Sequence, residues 1–143
     1  MTLPILKITA EVERLIRLEG EASYPNECCG VMVGKLEGGQ KLVNAIYPQR
    51  NERDDSPKNR FLISPDLVRD AELRAMREGV DVLGYYHSHP DHPAKPSQFD
   101  QDHAWPWYSY VIVSIQQGKS TDLTSWQLTD DRSQMIPEPV EMT

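Results

Sequence analysis

A length of 143 residues suits one domain with a real core and leaves little room for a second. The net charge is −7, from 15 basic against 22 acidic residues with no basic stripe, which argues against a nucleic-acid backbone as the main partner and fits a protein or peptide substrate. Hydrophobic content is 38% and falls in clusters, which excludes disorder of the whole chain.

The N-terminus, Met1-Thr2-Leu3-Pro4-Ile5-Leu6-Lys7, has neither a charged n-region nor a long apolar h-region, and no apolar run approaches the roughly 20 residues of a membrane span. The expected location is the cytoplasm, with no membrane partner. Ile5 to Ile8 reads as a short first strand. Thr9 then caps a helix over Ala10 to about Ala22, in which Val12, Leu15, Ile16 and Glu19 mark successive turns and the apolar stripe faces a sheet. Ser23-Tyr24-Pro25-Asn26 breaks that helix and delivers Glu27 to the mouth of the apolar strand Cys28 to Gly34. Cys28 and Cys29 are the only cysteines, and neighbours in sequence bridge only with strain, so both are expected reduced, at least one of them as a small buried hydrophobe.

Gly38-Gly39 turns this strand into a second, Lys41 to Tyr47, as a hairpin. From Pro48 to Arg60 the composition is charge, Asn, Ser and Pro, which predicts a mobile loop; Phe61-Leu62-Ile63 resumes a strand. Ser64-Pro65-Asp66 starts a helix with Ser at the N-cap and Pro in the first turn; Val68, Ala71 and Ala75 keep helical spacing, and Gly79 ends it.

The most informative stretch comes next. Val80, Val82, Leu83, Tyr85 and Tyr86 form a mostly buried strand that runs into His87-Ser88-His89, and alternation puts the two histidines on one face and Ser88 on the other. Pro93 and Pro96 keep the following loop irregular. Ser97 then has the form of a helix N-cap with Asp100 in the first turn, from where its carboxylate can swing toward the histidines. Two imidazoles and one carboxylate suit zinc, and three protein ligands leave the fourth tetrahedral position to water, which is the pattern of a catalytic rather than a structural site. His92 and His103 are set aside as ligands, the first in a solvated loop and the second more at home beside the site than in it. Hydrolysis also needs a base, and Glu27, at the rim of the sheet, is the acidic residue with the distinctive setting.

Beyond Asp100 a short helix runs to about Ala104 and is cut at Pro106; Trp105 and Trp107 are expected to pack the junction between helix and strand. Tyr108 to Ile115 is the most strand-like run in the chain. Gly118-Lys119 turns it into a last strand, Leu123 to Leu128, and Asp130 to Thr143 is a polar tail in which Pro137 and Pro139 make regular structure improbable. One α/β or α+β domain over residues 1–129 is expected, followed by the tail over 130–143.

Glu27, then His87-x-His89, then seven residues, then Ser97-x-x-Asp100, resembles the signature of the JAMM (MPN-plus) zinc metallopeptidases at every position. Glu27-Cys28-Cys29-Gly30 and the run Trp105 to Ser114 look like the small stand-alone prokaryotic branch, and the similarity extends from Ile5 to about Leu128. The resemblance implies a cytidine-deaminase-like fold with a mixed, curved sheet between helices. It implies zinc on His87, His89 and Asp100, Glu27 as general base and then acid, and Ser97 as donor to the oxyanion, a role compatible with its N-cap. It further implies a ubiquitin-like sulfur-carrier protein as substrate, trimmed at its C-terminus of a residue such as cysteine or to expose Gly-Gly. The short Pro48–Arg60 segment and the direct passage from the site helix to Trp105 leave no room for insertions that grip a second ubiquitin. Two other readings stay open: an isopeptidase for a prokaryotic ubiquitin-like modifier, and a non-catalytic MPN scaffold.

Overall fold

A computed structural model describes residues 5–49 and 64–143. In chain order the elements are β1 (Leu6–Ile8), α1 (Ala10–Ser23), β2 (Cys29–Glu37), β3 (Gln40–Gln49), α2 (Pro65–Glu78), β4 (Asp81–Pro90), α3 (Gln98–His103), β5 (Ser109–Gln116), β6 (Lys119–Leu128), β7 (Met135–Glu138) and β8 (Val140–Met142).

Local chemistry sets most of these boundaries. Thr9 Oγ1 accepts the Val12 N–H at 3.2 Å and Ser64 Oγ the Leu67 N–H at 3.1 Å, so both long helices begin where a hydroxyl satisfies an orphan donor. α2 stops at Gly79, whose φ of 74° is the left-handed cap that a glycine adopts without steric cost. Gly38 and Gly39, both at positive φ, make the two-residue turn between β2 and β3.

The eight strands form one mixed sheet in the order β7-β6-β5-β4-β2-β3-β1-β8. β4 lies inside it, antiparallel to β2 and parallel to β5. β7 and β8 stand at opposite ends of the order yet are separated in the chain by Pro139 alone. One residue spans only about 3.6 Å, so the two edges meet and the sheet curls almost closed. The Leu6 N–H to Pro139 carbonyl bond, 2.9 Å, ties the seam. The expectation of an unstructured polar tail over Asp130–Thr143 is thereby corrected. Pro137 is tolerated because β7 is an end strand of the order, paired only to β6, and β8 is held in parallel by β1.

Each face of the sheet has its own core. α1 covers one face with Val12 and Ile16 against Leu6, Ile8, Met32, Leu83, Tyr86 and Val113; α2 covers the other with Ala71 and Ala75 against Val31, Val33, Val82 and Tyr85. α1 lies close enough that a Cβ at Gly20 would stand 2.8 Å from Ile115 Cδ1. Leu15, expected on the buried stripe, is 36% exposed: the sheet accepts only the narrow Val12–Ile16–Gly20 line. β3 continues through Pro48 and Gln49, which the composition assigned to the expected loop; the remainder of that expected loop and the expected strand Phe61–Ile63 lie outside the described residues. Trp105 and Trp107 are 37% and 49% exposed rather than packed into a junction, and the Trp107 ring instead covers the buried Lys41 ammonium, 4.2 Å from its centroid. Among the described residues no helix is long and apolar enough to cross a membrane.

Candidate metal centre

β4 carries its side chains alternately to the two cores. Tyr86 and Ser88 point to the α1 side, where Ser88 Oγ accepts the Cys28 N–H at 2.8 Å; Tyr85, His87 and His89 take the other side. The histidines are 4% and 8% exposed, their Nε2 atoms 3.1 Å apart. Asp100 arrives from α3. Its Oδ2 is 3.2 Å from His89 Nε2 and 3.4 Å from His87 Nε2.

α3 is aimed by its N-terminus. Ser97 Oγ accepts the Asp100 N–H at 3.0 Å while Asp100 Oδ2 accepts the Ser97 N–H at 2.9 Å, a reciprocal capping box that fixes the carboxylate over the strand end. Ser97 is exposed and Asp100 half-buried. His89 is oriented from behind: its Nδ1 lies 2.9 Å from the Pro93 carbonyl. A carbonyl only accepts, so Nδ1 carries a proton, and in the neutral ring the Nε2 lone pair faces Asp100 Oδ2. Two acceptors at that separation repel unless a proton or a cation stands between them.

The titration of the pair reflects this. Burial works against a charged His89, but the hydrogen bond and charge of Asp100 outweigh it and raise the imidazole above its ordinary value. Burial also opposes the Asp100 carboxylate; the facing His87 and His89 and the Ser97 N–H prevail, and the carboxyl is held well below the usual range.

Three ligand atoms with edges of 3.1, 3.2 and 3.4 Å fit one small cation. Tetrahedral zinc with ligands at about 2.0–2.1 Å separates any two of them by about 3.3–3.4 Å. His87, His89 and Asp100 are the group of His, Cys, Asp and Glu among the described residues that could hold a metal ion. His92 is exposed, and His103 Nδ1 donates to the Phe99 carbonyl at 2.9 Å and its ring stacks on the Phe99 ring; neither joins the cluster.

Glu27 is 3% exposed. Cys29 pairs with His87 across the antiparallel ladder, and the Ser88 N–H donates to the Cys28 carbonyl at 3.1 Å, so Glu27 enters the sheet beside the end of β4 that carries the histidines. Burial pushes the adjoining thiols up, Cys28 to about 12 and Cys29 higher still, which disfavours the thiolate that a nucleophile needs. Sequence reasoning missed the Pro93 carbonyl, because a backbone acceptor leaves no side-chain signature.

The chain matches, over residues 9–129, the family described as prokaryotic homologs of the JAB domain. It is 34% identical over 98 residues to a desampylase of Haloferax volcanii, covering 67% of this chain and 68% of that one. It is 30% identical over 143 residues to the CysO-cysteine peptidase of Mycobacterium tuberculosis, covering 99% and 93%. The solution structure of a protein from Desulfitobacterium hafniense superposes with a TM-score of 0.81 at 29% identity, over 97% of this chain and 92% of that one.

Proposed function

Because the chain belongs to the prokaryotic JAB-domain family and is a hydrolase of the JAMM type, we propose that it cleaves an amide bond at the C-terminus of a ubiquitin-like sulfur-carrier protein, using zinc on His87, His89 and Asp100. The observation that carries the reading is the triangle of candidate ligand atoms formed by His87, His89 and Asp100. The near full-length similarity to a CysO-cysteine peptidase supports the substrate class. A scaffold without catalysis would have no use for a buried triangle of this kind.

When bound, zinc supplies Lewis acidity to a scissile carbonyl and makes a water acidic enough to attack near neutral pH. The chain's own groups do the rest. His89 is locked by Pro93 with its Nε2 directed at the site, and the Ser97 N–H orients Asp100. Glu27 takes the proton of the attacking water and returns it to the leaving amine. The Ser97 hydroxyl accepts the Asp100 N–H through a lone pair, so its proton remains available for the developing oxyanion. No covalent acyl-enzyme forms, consistent with two inert thiols.

Glu27→Gln tests the assignment. The variant keeps stoichiometric zinc and loses about 100- to 10,000-fold in cleavage of a carrier–cysteine adduct. Equal cleavage by both proteins removes Glu27 from the chemistry. A carrier–protein isopeptide conjugate run in parallel separates the second reading, an isopeptidase for a ubiquitin-like modifier, from the first.

A further inference from the structure

The helix that carries Asp100 is tied at both ends. α3 is six residues long with none of them buried, and a helix so short does not persist by propensity. The capping box closes its first turn. At its other end the turn between β6 and β7 reaches across: Arg132 Nη2 donates to the Ala104 carbonyl at 2.9 Å and to the Asp102 carbonyl at 3.3 Å, groups that a helix end leaves without internal partners. Gln101 Nε2 returns the contact, donating to the Ser133 carbonyl at 3.0 Å and the Arg132 carbonyl at 3.5 Å. The Tyr110 hydroxyl accepts the Trp105 N–H at 2.7 Å and pins the chain just beyond.

The turn that offers Arg132 is more organised than its exposure requires. Asp131 Oδ1 accepts from Thr129 Oγ1 at 2.7 Å, Ser133 Oγ at 2.7 Å and the Ser133 N–H at 3.0 Å, and these bonds hold its carboxyl down at about 2. The Arg132 N–H donates to the Thr129 carbonyl at 2.9 Å. Arg132 itself has φ 63°, a left-handed conformation that costs a residue with a Cβ some free energy and that glycine or asparagine would adopt more readily. From that conformation the guanidinium reaches the carbonyls at the end of α3.

We propose that Arg132 is a positioning residue of the metal centre, clasping the C-terminal end of α3 so that Asp100 already faces His87 and His89 before the ion arrives. The inference rests on the metallopeptidase reading above. Without the clasp, α3 must be ordered at the moment of binding, and that ordering is subtracted from affinity.

The experiment is zinc affinity by chelator competition, with thermal unfolding of the metal-free protein, for the wild type, Arg132→Ala, Arg132→Lys and Gln101→Ala. Arg132→Ala weakens zinc about 10- to 100-fold, the range for lost partners outside the ligand shell. Arg132→Lys recovers part of that, since an ammonium reaches one carbonyl but lacks the fork for two. Gln101→Ala shifts affinity less, in the same direction, and metal-free melting stays close to wild type. Equal zinc affinity in wild type and Arg132→Ala overturns the proposal. So does a loss that tracks a lower metal-free melting point and is not rescued by lysine. Should Arg132→Ala fail to fold, unchanged affinity in Gln101→Ala overturns it instead. A wild type that binds no zinc refutes the metal reading itself, a result visible before any variant is compared.

Discussion

His87 and His89 stand on a strand hydrogen-bonded to β2 on one side and β5 on the other, whereas Asp100 stands on a six-residue helix with no buried residue, capped by Ser97. Both halves supply atoms to the same triangle. The strand half is fixed by the same packing that fixes the fold, so it cannot shift without disturbing two cores. The helix half is fixed by a few polar contacts: a capping box at one end and Arg132, Gln101 and Tyr110 at the other. A site built this way has one rigid wall and one adjustable wall, and substitutions should reveal which is which.

The largest effects are expected at the proposed ligands. Alanine at His87 or at Asp100 abolishes zinc binding and with it cleavage, as does treatment with a chelator, reversed by added zinc. The two variants differ in the metal-free protein. His87→Ala leaves space in a close-packed sheet and costs about 2 kcal/mol or more, while Asp100→Ala loses half of a capping box and costs about 1 kcal/mol. Chemical denaturation without metal measures both, and equal costs would break the contrast between the walls.

Ser97 sharpens the comparison at intermediate size. As a cap, the hydroxyl is worth about 1 kcal/mol against alanine and only a few tenths against glycine. As an oxyanion donor its loss costs about 100- to 1,000-fold in turnover whichever residue replaces it. Ser97→Ala and Ser97→Gly should therefore differ in melting temperature and agree in turnover. Activity that recovers in the glycine variant would reduce Ser97 to a cap.

The smallest effect is in pH. The raised His89 value means that its protonated form contributes stability to the metal-free protein fully below about pH 6.5, lost as pH rises through the raised value. Asp100, held low, contributes above its ordinary range and loses that only as pH falls through the lowered value. On the proposed reading, zinc would take the place of the proton on His89. The stability gap between loaded and metal-free protein should thus widen from about pH 6 to about pH 8, as followed by paired melting curves. A constant gap would show that His89 and Asp100 share no proton.

Much of this was legible in the linear chain because the signals are local. Alternation alone puts His87 and His89 on one face, Ser97 announces itself as an N-cap, and Gly38-Gly39 and Gly79 end elements by backbone conformation. The family pattern added Glu27, whose burial no local rule foretells. Leu15 lies partly outside the core because helical spacing marks an apolar face but not how much of it a curved sheet covers. The two closing strands escaped notice because Pro137 and Pro139 argue against regular structure unless the segment is known to lie at an edge.

What the sequence by itself determined is the identity and spacing of the candidate site groups, since these depend on side-chain chemistry and on periods of two and about 3.6 residues. What only the tertiary structure decided is how far apart those groups come to rest and what holds them there. The seam at Pro139, the Pro93 carbonyl behind His89 and the reach of Arg132 to α3 all join parts of the chain through backbone atoms. Every residue carries the same backbone groups, so no residue type marks in advance which of them will meet.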